Sequence, residues 1–262
     1  TEGAFDEAIR HSITKMSQLH FTATETYRQR VIQLGEHPNT VFNVGALGLE
    51  NIRRLELLNR DSFEEFVGIP LGERSLLVTW HPVTLKPGRS ATEFQILLDV
   101  LDELKDVNVV FTKANADTEG RIINNMIDDY VENNSTRTVA YTSLGQLRYL
   151  SALSHVDGVV GNSSSGIIEA PSLFVGTVNI GERQRGRLKA ASIIDCNPDQ
   201  NSISSALAVL FSNQFQKQIK EVDNPYDVGE SPAARIVQTL RSCNLKGIVE
   251  KKFFDLCKGN TI

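Results

Sequence analysis

Apolar residues recur along this chain in two rhythms, one near helical spacing and one in short unbroken runs. Residues 4–18 set Ala4, Phe5, Ala8, Ile9, Ile13 and Met16 near the helical period, which predicts an amphipathic helix. Leu19 to Thr22 follows as a short strand. Thr24 is placed to cap a helix over 25–34 that Gly35 closes, and Val41 to Val44 is a second short strand. From about residue 60 the alternation is strict. Strands at 75–79, 107–111, 138–141, 156–160, 177–180 and 192–195 are interleaved with helices at 90–105, 118–132, 143–154, 164–171 and 201–211. A further helix at 231–241 follows the turn Asn224-Pro225-Tyr226, and the tail from 244 is less regular. Short apolar strands between helices indicate a parallel sheet covered on both faces, joined by right-handed crossovers. The expected fold class is therefore α/β, with a Rossmann-like parallel sheet.

Composition narrows the function classes. The net charge of -5 argues against a broad nucleic-acid surface, and the best local basic patch is Arg183, Arg185, Arg187 and Lys189. No apolar run approaches the roughly 20 residues of a membrane-spanning helix. Three scattered cysteines, Cys196, Cys243 and Cys257, lack metal or disulfide spacing and suit a reducing, cytoplasmic compartment. No HExxH or cysteine–histidine spacing predicts a metal, and Ser163 to Ser165 lacks the GxSxG setting of a hydrolase elbow.

In an open parallel sheet, ligands bind beyond the carboxyl ends of the strands. Five consecutive predicted strands deliver polar or basic residues there: Trp80-His81-Pro82, Thr112-Lys113-Ala114-Asn115, Thr142-Ser143, Gly161-Asn162-Ser163-Ser164-Ser165-Gly166, and Gly181-Glu182-Arg183-Gln184-Arg185. Two readings of the Asn162–Gly166 loop stand. It is a phosphate cradle built of small residues, free N–H groups and serine hydroxyls at a helix start, or an ordinary serine-rich N-cap. Glu169, one turn further on, is either a ribose-binding carboxylate or a surface glutamate. Arg183 is either a phosphate ligand or part of a solvated basic loop. His81, held extended by the following proline, is either a phosphate or acid–base group or a structural histidine. Asp6, Glu7, His11 and His20 flank the first helix and strand as candidate proton-transfer groups, with exposed helix charges as the plainer reading.

These residues together resemble the UDP-N-acetylglucosamine 2-epimerases. The resemblance runs through Ile9-Arg10-His11-Ser12-Ile13-Thr14-Lys15-Met16, Leu19-His20-Phe21-Thr22, Val44-Gly45, Trp80-His81-Pro82 and Asn115-Ala116-Asp117. It continues through Gly161 to Gly166, Glu169-Ala170-Pro171-Ser172, Asn179 to Arg187 and Asn224-Pro225-Tyr226. The chain is more similar to the hydrolysing branch, used in making sialic, legionaminic and related acids. Its His81-Pro82-Val83-Thr84 stands where the other branch usually has His-Arg-Arg-Glu, and Ser163-Ser164-Ser165 where that branch usually has Ser-Gly-Gly.

The resemblance implies the C-terminal half of a GT-B-like two-domain fold. It divides the chain into residues 1–55 as a remnant of an N-terminal Rossmann-like domain, 56–230 as the nucleotide-binding domain, and 231–262 as a C-terminal helix and tail. On this reading the protein is N-terminally incomplete, with little or no turnover by itself. Ser163 and Ser164 are implied to meet the diphosphate, Glu169 the ribose and Arg183 the phosphates, with Ser165 and Asn115 also among the substrate-binding candidates. His81 is implied at the reacting end. Asp6 or Glu7 falls where the family has a proton-transfer carboxylate, and His20 matches a family histidine. The implied chemistry removes the C2 proton, expels the nucleoside diphosphate to give a glycal, and adds water with inversion at C2. It needs no metal or redox cofactor. The implied partners are a UDP-linked or GDP-linked sugar and a second copy in a homodimer. The rival expectations are a GT-B glycosyltransferase and a nucleotide-sugar-binding fragment without chemistry.

Overall fold

The computed structural model describes residues 5–82, 88–114, 118–244 and 246–256. The chain groups into two compact units, Thr1–Arg54 with Pro225–Ile262, and Leu55–Asn224. Residues 231–262, expected as a separate piece, thus group with the N-terminal segment.

The first unit opens with α1 (Phe5–Met16), β1 (His20–Thr22), α2 (Glu25–Gln33), β2 (Val41–Asn43) and α3 (Glu50–Arg54). Strands β1 and β2 pair in parallel, His20 opposite Val41. Thr24 caps α2 by accepting from the Tyr27 N–H at 3.1 Å. The helical pattern of α1 does not translate into burial: Ile9, Ile13 and Met16 are all exposed.

The second unit runs α4 (Arg60–Val67), β3 (Ser75–Thr79), α5 (Ser90–Glu103), β4 (Asn108–Thr112), α6 (Thr118–Asn133), β5 (Thr138–Tyr141), α7 (Gly145–His155), β6 (Gly158–Gly161), α8 (Ser165–Ile168), β7 (Gly176–Ile180), β8 (Ile193–Cys196), α9 (Gln200–Leu210) and α10 (Asn213–Gln218). Its strands form one parallel sheet in the order β5-β4-β3-β6-β7-β8. The chain winds outward from β3 in one direction and then returns to wind outward from β6 in the other, which is the Rossmann order. Leu76, Val78 and Trp80 pack on one face with Phe94, Leu97, Leu101, Phe111, Ile123 and Leu207. Leu77, Val110 and Val159, out of phase by one residue, point to the other face and are equally buried. Burial on both faces is why these strands read as unbroken apolar runs.

Three features depart from the sequence expectation. The helix expected over 164–171 is a single turn, α8, followed by a 3-10 turn at Ala170–Leu173. Pro171 has no N–H to continue an α-helix, and Phe174 ends the segment in the left-handed region at φ 55. Helix α4 is not among the sequence expectations, although Asn59 caps it and Gly68 ends it at φ 75. Helix α10 likewise follows a Ser212 cap.

The chain returns to the first unit with α11 (Pro232–Ser242) and a tail without regular structure that is nonetheless tied down. Lys251 Nζ donates to the carbonyls of Thr14, Lys15 and Ser17 at 3.1, 3.0 and 2.6 Å, capping the end of α1 where carbonyls lack partners. The Phe254 N–H donates to the Gly35 carbonyl at 2.9 Å. The Phe253 ring lies so close to Gly35 that a β-carbon there would meet it at 2.2 Å. Lys251→Ala is expected to lower the stability of this unit by about 2 kcal/mol, seen as faster amide exchange in the last turn of α1.

Candidate functional site

The strand order creates a switch point between β3 and β6, and ligands of open parallel sheets bind in the crevice beyond the carboxyl ends of such a pair. His81 follows β3 there, and Asn162 to Ser165 follow β6. Gly161 makes the junction. It ends β6 at φ 130, and a β-carbon on it would lie 2.0 Å from the Thr79 carbonyl oxygen. Only glycine lets the two strand ends run this close.

Asn162, 1% exposed, is the hub of the crevice. Its Oδ1 accepts from the His81 N–H and its Nδ2 donates to the His81 carbonyl, both at 2.8 Å. Its own carbonyl accepts from Arg183 Nη1 at 3.0 Å and from Gln184 Nε2 at 2.7 Å. The loops after β3, β6 and β7 are therefore bound to one another through one residue. Arg183 is substantially buried, and burial together with the neighbouring Arg187 charge lowers its pKa. Two packed guanidinium groups at one sheet edge make that corner electropositive.

The serines and Glu169 sit on and just after the single-turn α8. So short a helix has little macrodipole, so the long-helix field expected from sequence is not available at this loop. Ser165 Oγ, Glu169 Oε2 and the Tyr149 hydroxyl are buried and complete no hydrogen bond among the described residues. Their neighbours are felt electrostatically without closing a bond. Burial pushes the Glu169 carboxyl up to about 7, against a smaller pull from its own main chain, Ser165 and Arg187. Burial also pushes the Tyr149 phenol up to about 12, opposed by the hydroxyls of Ser165, Thr79 and Ser163 and reinforced by Glu169. Buried polar groups without partners are costly, and a cluster at a strand-end crevice marks a place for a ligand to supply the missing hydrogen bonds. Asn224 holds this segment, donating to the Ile168 carbonyl at 2.8 Å and to Ser172 Oγ at 2.7 Å. A cavity of about 820 Å³ adjoins the crevice over the ends of β7 and β8, lined by residues including Asn162, Glu182, Arg185 and Lys189.

The sequence candidates therefore separate. His81, Ser163, Ser164, Ser165, Glu169 and Arg183 all belong to the second unit and its carboxyl edge. Asn115 lies outside the described residues. Asp6, Glu7 and His20 belong to the first unit. Asp6 is exposed and Glu7 partly so in the first turn of α1, with Glu7 Oε1 3.7 Å from His11 Nε2. His20 is 7% exposed and its Nε2 lies 3.0 Å from Glu36 Oε2. Its pKa is lowered, chiefly by burial and against the attraction of Glu36, so the ring is neutral and donates from Nε2 to the carboxylate. Among the described residues no group of three histidine, cysteine or acidic side chains is set to hold a metal, and no helix is long and apolar enough to cross a membrane.

Sequence patterning places Asn162 and Gln184 in strand-end loops at the ligand edge without singling out either residue, and it gives Tyr149 and Glu36 no role. The latter two are made relevant by neighbours distant in sequence.

A Rossmann-order parallel sheet with serine, arginine and buried glutamate beyond the ends of its central strands defines an α/β protein with a candidate ligand crevice at its switch point. Residues 1–241 match the family described as UDP-N-acetylglucosamine 2-epimerase. The chain belongs to that family. It is 41% identical over 256 residues to a GDP/UDP-N,N'-diacetylbacillosamine 2-epimerase (hydrolyzing) of Campylobacter jejuni, covering 98% of this chain and 66% of that protein. It is 40% identical over 223 residues to polysialic acid biosynthesis protein P7 of Escherichia coli, covering 85% and 56%. The chain thus spans about two-thirds or less of the length of these relatives. Among solved structures, the S. aureus MnaA–UDP co-structure has a TM-score of 0.68 at 15% identity, covering 93% of this chain and 65% of that one. The Methanocaldococcus jannaschii UDP-GlcNAc 2-epimerase in complex with UDP-GlcNAc and UDP has a TM-score of 0.66 at 17% identity, covering 86% and 61%. These likenesses confirm the GT-B-like α/β fold.

Proposed function

We propose that these residues form the nucleotide-holding part of a hydrolysing 2-epimerase that converts a UDP-linked 2-acetamido sugar to the free 2-epimer and UDP. The observation that carries the reading is the joining of the His81, Asn162–Ser165 and Arg183 loops at the switch point, with the buried Glu169 Oε2, which completes no hydrogen bond among the described residues, beside them. Arg183 and the hydroxyls of Ser163, Ser164 and Ser165 offer donors for a diphosphate. Ionised Glu169 accepts from the two ribose hydroxyls. His81 stands against the diphosphate, at the reacting end that carries the sugar. In the reaction a base takes the C2 proton as the diphosphate departs with the glycosidic bond's electrons. Water then adds to the resulting glycal, its hydroxyl at C1 and a proton at C2 from the opposite face. Asp6, Glu7 and His20 are proposed as the proton-transfer groups of the first unit. Asn115 is proposed as a further substrate contact.

The Campylobacter jejuni relative supports a diacetamido sugar as readily as N-acetylglucosamine, and GDP as an alternative leaving group. The polysialic acid biosynthesis relative supports a place in sialic-type acid synthesis, with legionaminic-type synthesis proposed as the alternative. A cytoplasmic setting and a homodimer complete the proposal.

Calorimetric titration with UDP, repeated with GDP, tests the site. Saturable UDP binding is expected, weakened about 30-fold or more by Glu169→Ala because a carboxylate accepting two hydroxyls is lost. No binding of either nucleotide overturns the reading. Detection of free 2-epimeric sugar, rather than transfer to an added acceptor, separates the epimerase from a glycosyltransferase.

The raised Glu169 pKa adds a pH signature. The free site holds a proton below about pH 7, whereas ribose binding needs the ionised acceptor, so binding must release that proton. UDP-N-acetylglucosamine has no group of its own titrating near neutrality. Its affinity is expected to rise by up to about tenfold per unit as pH climbs toward 7, then level off. Glu169→Gln is expected to bind more weakly and without that slope.

A further inference from the structure

The first residue of the serine loop is an asparagine whose buried side chain is spent on the main chain of a neighbouring loop. Strands β3 and β6 pair regularly up to Thr79 opposite Gly161. Beyond that pair, Gly161 at φ 130 turns the β6 chain out of the ladder, and the main chain of His81 loses its strand partner. The Asn162 side chain takes the partner's place. A carboxamide carries one acceptor and one donor in a plane, like a peptide group, and both are used on the two main-chain groups of His81 at 2.8 Å. The orientation of the amide is fixed by chemistry, because a main-chain N–H only donates and a carbonyl only accepts. An ionised aspartate cannot donate to the His81 carbonyl, and serine has neither the reach nor the second group. The pairing is 1% exposed at Asn162, so water does not compete for it.

We propose that Asn162 is a positioning residue. Its side-chain amide extends the β3–β6 ladder by one pseudo-peptide and thereby sets the His81 imidazole against the bound nucleotide. The inference rests on the reading above that this crevice takes a nucleoside diphosphate with His81 at it. Arg183 and Gln184 bind the main-chain carbonyl of residue 162, not its side chain. Removing the amide leaves those two donors their acceptor, so its consequence is confined to the His81 main chain.

A double-mutant cycle on UDP binding tests it, using the chain as it is together with His81→Ala, Asn162→Ala and the double variant. His81→Ala retains the main-chain groups that Asn162 holds but has no ring to position. Asn162→Ala is expected to raise the UDP dissociation constant about tenfold in the parent and less than about twofold in the His81→Ala background. A merely structural role gives equal losses in both backgrounds, and that result overturns the proposal. So does an Asn162→Ala chain that binds as the parent does, or a His81→Ala chain that does. A parent that fails to bind UDP sinks the reading of the site itself, which is a different failure. Fluorescence of Trp80, the chain's one tryptophan and buried in this unit, reports whether each variant is folded. Should Asn162→Ala unfold, the uncharged Asn162→Ser replaces it: its hydroxyl is too short to hold both main-chain groups of His81, so a loss that again disappears without the imidazole is expected, and an additive loss refutes the proposal.

Discussion

Gly161→Ala is expected to destabilise the second unit by about 4 kcal/mol or more and to abolish nucleotide binding. The added methyl carbon would sit 2.0 Å from the Thr79 carbonyl oxygen and 2.9 Å from its carbonyl carbon, both main-chain atoms of the central strand. No side chain can swing aside to relieve this, because the obstacle is the backbone of β3 itself. That same oxygen accepts the Asn162 N–H at 3.2 Å, so moving it breaks the bond that starts the loop. The φ of 130 is also a conformation that L-residues rarely adopt, so strain remains even if the strands part. Either response pulls His81 and the serine loop out of register. Denaturant titration followed by Trp80 fluorescence measures the effect within this unit. A loss below about 1 kcal/mol would show that the switch point tolerates separation of its central strands.

That junction also shows what can be read from a sequence and what cannot. The apolar runs at 75–79 and 156–160 identified buried parallel strands because both faces of the sheet are covered, and the polar residues after them identified the ligand edge. The strand order, which makes β3 and β6 neighbours and so creates the crevice, depends on crossovers that local pattern does not encode. Pro171 is a visible obstacle to a helix over 164–171 that apolar spacing outweighs, and the Asn59 and Gly68 caps flanking Phe63 and Val67 are a visible sign of α4. The exposure of Ile9, Ile13 and Met16 marks the opposite limit, since periodicity predicts a helix but not what lies against it. Asn162 was legible as part of a suspect loop, yet its partners at positions 81, 183 and 184 are joined to it only by folding. The same holds for the grouping of Glu36 with Lys15, His20 and Lys251.

That grouping makes the first unit sensitive to acid and to a single substitution. Glu36, with a side chain 2% exposed, meets Lys15 Nζ at 2.6 Å, Lys251 Nζ at 2.7 Å and His20 Nε2 at 3.0 Å. Burial works to raise its pKa, but hydrogen bonds and charge from Lys15 and Lys251, with His20, outweigh it and the net shift is downward. Glu36→Ala leaves two ammonium groups and a buried imidazole without their common acceptor, while Lys251 keeps its three carbonyl partners at the end of α1. A loss of about 3 kcal/mol in this unit is expected, larger than for Lys251→Ala because every partner is affected. The pH dependence follows from two depressed values. His20 is held neutral, so its contribution is complete above its ordinary 6.5 and fades as pH falls through its lowered folded value. Glu36 is held ionised, so its contribution is complete above 4.5 and fades at still lower pH. Acidification should therefore weaken this unit in two stages, the first absent in His20→Gln and the second in Glu36→Gln. Amide exchange in α1 and α2, measured as a function of pH, separates these stages from the response of the second unit. Unchanged protection down to pH 4 would mean that the lysines alone neutralise the buried carboxylate and that His20 adds nothing to its stability.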